Sequence, residues 1–156
     1  MKKTNAMRIL ESKNIPFSVT EYEWDENHLD AVSAASKLNL DPDSVYKTIV
    51  MMNEKKEVFV FCVPAAHEVS LKKVRILTNS HLNPVKVAEL QSITGYLRGG
   101  CSPIGMKKHF PVYIDESALK KEQIYISAGQ RGMQLVLDPK DLQKACNAEF
   151  HQLIDG

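Results

Sequence analysis

Four of the seven glycines in this 156-residue chain, Gly95, Gly99, Gly100 and Gly105, fall within the twelve positions 94–105, T-G-Y-L-R-G-G-C-S-P-I-G. Glycine loses the most backbone freedom on folding and brings no side chain to pack. Such a cluster, with Pro103, predicts a shaped backbone rather than a continuing helix or strand. The amides of that loop lie open to close approach, which favours a ligand-holding loop; a tight double turn between two elements is the alternative. No Gly-Lys-Ser or Gly-Lys-Thr follows, and the Gly-x-Gly-x-x-Gly order is absent, so neither a Walker loop nor a dinucleotide fingerprint is present.

A second constraint is Lys47, the one charge in the β-branched and aromatic run 45–52, V-Y-K-T-I-V-M-M. The run predicts a central strand. A lysine there must reach a rim, pair with an acid or face a polar cavity, because an unpaired dry ammonium costs several kcal/mol. A lysine snorkelling from the strand end is the plainer alternative.

The length suits one domain over residues 1–156 that buries about 70 % of its unfolded surface, and no Pro-, Ser- or Gly-rich linker divides it. No apolar stretch approaches the ~20 residues needed to span a bilayer. The N-terminus has no apolar signal-peptide core, which gives a cytoplasmic expectation. Cys62, Cys101 and Cys146 are odd in number and far apart, without Cys-x-x-Cys or His-x-x-x-His, predicting reduced thiols and no metal site. The net charge of +1 hides an asymmetry. Between Glu21 and Asp43 seven acids face only Lys37, whereas between Ser70 and Lys108 seven bases face only Glu89. The basic half holds the glycine loop, which predicts weak, salt-sensitive contact with a phosphate-bearing ligand such as nucleic acid.

Periodicity and capping residues predict mixed α and β elements. Thr4 caps a first helix that ends at Asn14-Ile15-Pro16, and residues 17–22 alternate as a strand. Asp30 caps a helix with Ala31, Ala34, Ala35 and Leu38 on one face. Residues 47–52 and 58–63 pair as strands around 53–57, and Ser70 opens a helix with Leu71, Val74 and Leu77 inward. Residues 84–95 read either as alternating strand or as short helix. Residues 110–114 form a strand, 117–121 a helical turn, and 124–127 with 133–137 a hairpin around A-G-Q-R-G. Asp138-Pro139-Lys140-Asp141 opens a last helix with Leu142, Ala145 and Cys146 inward.

Taken together, V-Y-K-T at 45–48, T-G-Y-L with G-G-x-S-P-x-G at 94–105, and S-A-G-x-R-G at 127–132 resemble the YbaK family of aminoacyl-tRNA deacylases over nearly the whole chain. The resemblance implies an α/β fold, a curved, barrel-like mixed sheet around a central helix with flanking helices. It implies a monomeric, cofactor-free editing enzyme that acts in trans beside prolyl-tRNA synthetase and removes cysteine from the acceptor end of the proline tRNA or of the cysteine tRNA. In relatives of this kind the substrate's own thiol attacks its ester carbonyl, so no protein nucleophile is needed. The resemblance makes Lys47 the essential pocket residue. Backbone amides near Gly99, Gly100 and Cys101 are then placed to stabilise the charge developing on the carbonyl oxygen. Tyr22, His28, Ser102, Ser127, Gly129, Arg131 and Gln134 are the expected substrate-binding groups. Thr48, on the opposite face from Lys47 in a regular strand, has a supporting role. Gln134 stands where the family carries an acid and no aromatic is evident near Leu29, so the residue removed stays open between cysteine and another small amino acid such as alanine.

Three other readings use the same residues. Cys101 with His109 has the ingredients of a cysteine hydrolase, and Lys47 those of a Schiff-base nucleophile. A pocket without turnover would be a module that binds tRNA or nucleotide.

Overall fold

The computed structural model describes residues 3–155. Side-chain caps set the helix starts. Thr4 accepts from the Met7 amide ahead of α1 (Asn5–Ser12), and Asp30 accepts from the Ser33 amide ahead of α2 (Ala31–Lys37). Ser70 does the same for α3 (Leu71–Thr78) and Asp138 for α5 (Pro139–Cys146). Each satisfies an amide that the first helical turn leaves without a partner. The ambiguous segment resolves into a two-residue strand, β4 (Asn83–Pro84), and α4 (Val87–Thr94), which stops at Gly95 with φ of 89°.

Among the described residues eight strands form two sheets. One has the order β1-β7-β6, with β1 (Ser18–Glu21), β6 (Ile124–Ser127) and β7 (Met133–Leu137) antiparallel throughout. The other has the order β4-β2-β3-β5-β8 and is mixed. The hairpin of β2 (Tyr46–Met52) and β3 (Val58–Pro64) is antiparallel, while β5 (Val112–Asp115) and β8 (Glu149–His151) add in parallel. The expected mixed α/β architecture is present, but the sheets do not close into a barrel: one isolated parallel bridge, Val45 to Tyr125, joins their edges.

The main core gathers Met7 and Leu10 of α1, Val60 and Cys62 of β3, Ile126 of β6, Leu135 of β7 and Leu142 of α5. A smaller core on the far side of β3 holds Met51, Phe61, Val63 and Val74. Alternation along β2 and β3 divides residues between the two, as a period of two requires. Leu71, expected inward, is 44 % exposed; it is the first helical residue after Ser70, and the buried phase of α3 is set by Val74. The C-terminal segment is fastened by the buried carboxylate of Asp115, which accepts from the amides of Ser117 (3.1 Å) and Leu153 (2.9 Å).

Candidate functional site

A cavity of about 250 Å³ opens where the two sheets meet. Its walls are Tyr22, the start of α2 (Leu29, Asp30, Ala31, Ala34), Val45 to Ile49 of β2 and its approach, Arg98, Gly99 and Cys101 of the glycine loop, Ser127 of β6 and Gln134 of β7. The volume lies below the ~300–1,000 Å³ of pockets that enclose drug-sized ligands, so the space suits a small group.

Four consecutive strand residues and Val45 before them can all line one cavity when the strand presents its edge. On the side of β2 away from β3, strand pairing among the described residues is confined to Met51 and Met52 with β4, and to the Val45 bridge. Val50 O also accepts from the Val85 amide at 2.9 Å, and the backbone from Tyr46 to Ile49 is an open edge. Lys47 and Thr48 therefore both border the cavity although their side chains leave opposite faces. Thr48, assigned a supporting place on the far face, is part of the wall.

Lys47 meets two of the conditions that its sequence position set. It lines the cavity, and its ammonium lies 3.3 Å from Glu68 Oε1. The partners are unequal, with side chains 20 % and 91 % exposed. Glu68 is nearly free in water, so this pair adds little stability and leaves the ammonium available to a ligand.

Gln134 is the one polar residue of β7, flanked in register by Thr20 of β1 and Ser127 of β6. It is 6 % exposed, and its Oε1 has no hydrogen-bond partner; the buried Thr48 Oγ1 is likewise unpaired. A buried polar atom without a partner costs about 1–3 kcal/mol, so two of them on one cavity wall mark places where a ligand's donors belong. Asp30, read from sequence only as a cap, adds a carboxylate to the wall. Its pKa is held below the usual 3.8, mainly by the Ser33 hydroxyl.

The glycine loop is shaped as expected, but its amides are not equivalent. Gly100, expected to supply an oxyanion amide, does not: its N–H donates to Leu97 O at 2.9 Å and it is buried off the cavity wall. A side chain there would strike the Arg131 amide, 3.0 Å away. The amides of Gly99 and Cys101 donate to no protein acceptor among the described residues, and both residues line the cavity. Gly99, with φ of 85°, packs against Leu29, and so the loop touches the entrance to α2.

Four more expected binding residues lie outside the wall. Ser102 is buried, and its hydroxyl accepts from the Ile104 amide, an intraloop brace. Gly129, with φ of 98°, makes room for Tyr96. His28 is exposed and its Nδ1 pairs with Asp25 at 2.9 Å. Arg131 adjoins a wall residue, its Nε donating to Arg98 O at 2.8 Å and its guanidinium 5.3 Å from the Trp24 ring centre. Of the basic run 70–108, only Arg98 reaches the cavity; Lys107 and Lys108 border other hollows.

The cysteine-hydrolase reading loses its geometry and its chemistry. Cys101 faces the cavity while His109 borders a separate hollow, and burial pushes the Cys101 thiol up to about 12. A catalytic cysteine needs the opposite shift, toward thiolate near neutral pH. The three cysteines are free thiols, and no cluster of three or more metal-ligating side chains occurs among the described residues. No helix among them is long and apolar enough to cross a membrane.

Comparison with known proteins bears on this site. The family model for the aminoacyl-tRNA editing domain matches residues 25–145, a span that contains Lys47, the glycine loop and Gln134. EbsC of Enterococcus faecalis (strain ATCC 700802 / V583), a candidate Cys-tRNA(Pro)/Cys-tRNA(Cys) deacylase, is 39 % identical over 153 residues, 97 % of this chain and 93 % of that protein. YwhH of Bacillus subtilis (strain 168) is 23 % identical over 126 residues, 81 % of this chain and 79 % of that one. The crystal structure of a candidate trans-editing enzyme for prolyl tRNA synthetase superposes with a TM-score of 0.85 at 24 % identity, covering 100 % of both chains. That likeness establishes a shared fold.

Proposed function

The chain belongs to the aminoacyl-tRNA editing family, and from that premise we propose that it removes cysteine from mischarged proline tRNA, and from cysteine tRNA, at the cavity beside Lys47. The observation that carries the reading is the wall itself. Unpaired acceptors at Gln134 Oε1 and Thr48 Oγ1, the Asp30 carboxylate, the Lys47 ammonium and the free Gly99 and Cys101 amides share a space sized for one aminoacyl group.

In this reading the aminoacyl ammonium is taken by Asp30 and Gln134, with Tyr22 and Ser127 closing the wall. The ester carbonyl turns toward the Gly99 and Cys101 amides, which stabilise the negative charge that develops on its oxygen. Lys47 adds positive charge at the same place or fixes the terminal ribose and phosphate. The substrate thiol sulfur bonds to its own carbonyl carbon, the bond from that carbon to the ribose oxygen breaks, and the thiol proton passes to the ribose oxygen. The products are a cyclic thiolactone and free tRNA, and Cys101 takes no covalent part. Prolyl-tRNA synthetase, the source of the mischarged tRNA, is the partner this reading implies.

The test is single-turnover deacylation of cysteinyl-, seryl-, alanyl- and prolyl-tRNA at equal occupancy, with a search for thiolactone in the products. A thiol is a few per cent thiolate near neutral pH and a hydroxyl scarcely ionises, so cysteinyl-tRNA should be cleaved far faster than seryl-tRNA. Equal rates, or free cysteine with no trappable thiolactone, would mean that water attacks directly. Protection of cysteinyl-tRNA without cleavage would leave only a binding module.

A further inference from the structure

Two residues beyond Tyr22, which lines the cavity, the chain places Trp24, the protein's single tryptophan, 42 % exposed. Its position is fixed rather than incidental. The Tyr22 amide donates to Gly132 O at 2.9 Å, and Gly132 lies so close to the indole that a Cβ there would stand 2.7 Å from Trp24 Cδ1. The Arg131 guanidinium sits 5.3 Å from the ring centre, and Arg131 is tied through its Nε to Arg98 O, whose residue lines the cavity. An exposed aromatic ring and the guanidinium over it are thus tied to the backbone of a second arginine, which lines the cavity. Neither guanidinium is engaged in an ion pair among the described residues.

We infer that Trp24 and Arg131 form a stacking platform for a base of the single-stranded 3′ end of tRNA, with Arg98 and Arg131 meeting the adjoining phosphate. This rests on the cavity's receiving the aminoacyl group. Aromatic rings and arginine planes are the surfaces on which proteins stack unpaired bases, and stacking tolerates any base because each has a π-face. Charge fixes the polarity of the arrangement. Trp24 also borders a hollow lined by Glu21, Glu23 and Asp25 against the single base Lys37, where a phosphate meets a net negative charge, so the nucleic-acid backbone leaves by way of the two arginines. The protein reads no sequence here. The platform recognises a free, unpaired end and holds it while the ester enters the cavity.

Because Trp24 is the only tryptophan, its fluorescence reports the platform directly. The purified protein is titrated with an RNA tetranucleotide ending in adenosine and with a fully abasic sugar-phosphate oligonucleotide of the same length. Quenching by the first, with affinity weakened several-fold for the second, is the expected result. In deacylation assays Trp24→Ala should raise KM for aminoacyl-tRNA roughly tenfold, the size expected for loss of one base-aromatic stack, with the effect falling on KM rather than kcat and Trp24→Phe recovering most of it. Far-UV circular dichroism and the thermal midpoint identify any variant that fails to fold, and Arg131→Gln, which should weaken oligonucleotide binding while leaving the tryptophan signal in place, then decides. Equal quenching by both oligonucleotides, or an unchanged KM in folded Trp24→Ala, overturns the platform. The titration uses uncharged RNA and needs no turnover. Quenching without deacylation would therefore refute the deacylase reading and keep the platform, and deacylation without quenching would do the reverse.

Discussion

Lys47 and Cys101 share one cavity wall, yet they invite opposite expectations. Lys47→Ala removes an ammonium whose protein partner is an exposed glutamate, so thermal stability should change by less than about 1 kcal/mol. Single-turnover deacylation should nevertheless fall by a hundredfold or more, about 3 kcal/mol of barrier; near-normal rates in the folded variant would remove Lys47 from the mechanism. Cys101→Ser should retain most activity, and the wild-type thiol, with its pKa pushed up to about 12 by burial, should react with iodoacetamide at pH 8 far more slowly than free cysteine. A hundredfold loss of activity or fast labelling would return the cysteine to the chemistry. Lys47 was conspicuous in the sequence because charge interrupts a strand pattern. Asp30 was visible only as a cap, and Arg98 only as one base among seven, since nothing in a linear sequence says which cap or which base meets β2.

Among the elements, α2 was legible because its start and its face depend on neighbours in sequence: Asp30 for the cap, Ala34 and Ala35 for the buried stripe. The hairpin of β2 and β3 was legible for the same reason. β8 was not, since Glu149–His151 has no strong strand pattern and becomes a strand only by pairing with β5. The open edge of β2 was equally hidden, because it is a property of which strands fail to pair. Asp30→Ala should cost about 1 kcal/mol at neutral pH through loss of the cap, measured as a lower thermal midpoint. The folded carboxyl has a depressed pKa, so its contribution is complete above the ordinary value of 3.8 and is lost as the pH falls through the folded value. The gap between wild type and variant should accordingly narrow below about pH 4; a constant gap would mean that the ionised carboxylate is not what caps the helix. The same substitution should raise KM, because α2 forms one wall of the site.

Across the whole molecule the acidic and basic stretches of the sequence fold into a surface whose charges are mostly remote from the cavity; among the described residues its nearby bases are Arg98, Arg131 and Lys47, set against the acids Asp30 and Glu68. With two or three phosphates within reach of these bases, log affinity for tRNA should fall with log salt at a slope of about −2. A slope several times steeper would show that Lys107, Lys108 and the rest of the basic run also engage the nucleic acid. The expectation of weak, salt-sensitive contact came from counting charges, whereas the place of contact depends on the approach of residues 98–101 to the turn 128–132, more than twenty-five positions apart in the chain. Building the cavity on a strand edge has one more effect, on colloidal behaviour. An uncovered edge is a template on which another chain's strand can add; here β6 lies beside it, bridged at Val45, while α2 and the glycine loop form the other walls of the cavity. Loosening α2 would thus leave a protein prone to edge-to-edge aggregation, and an occupied site would protect against it, so that soluble yield under stress should rise with bound acceptor-end RNA.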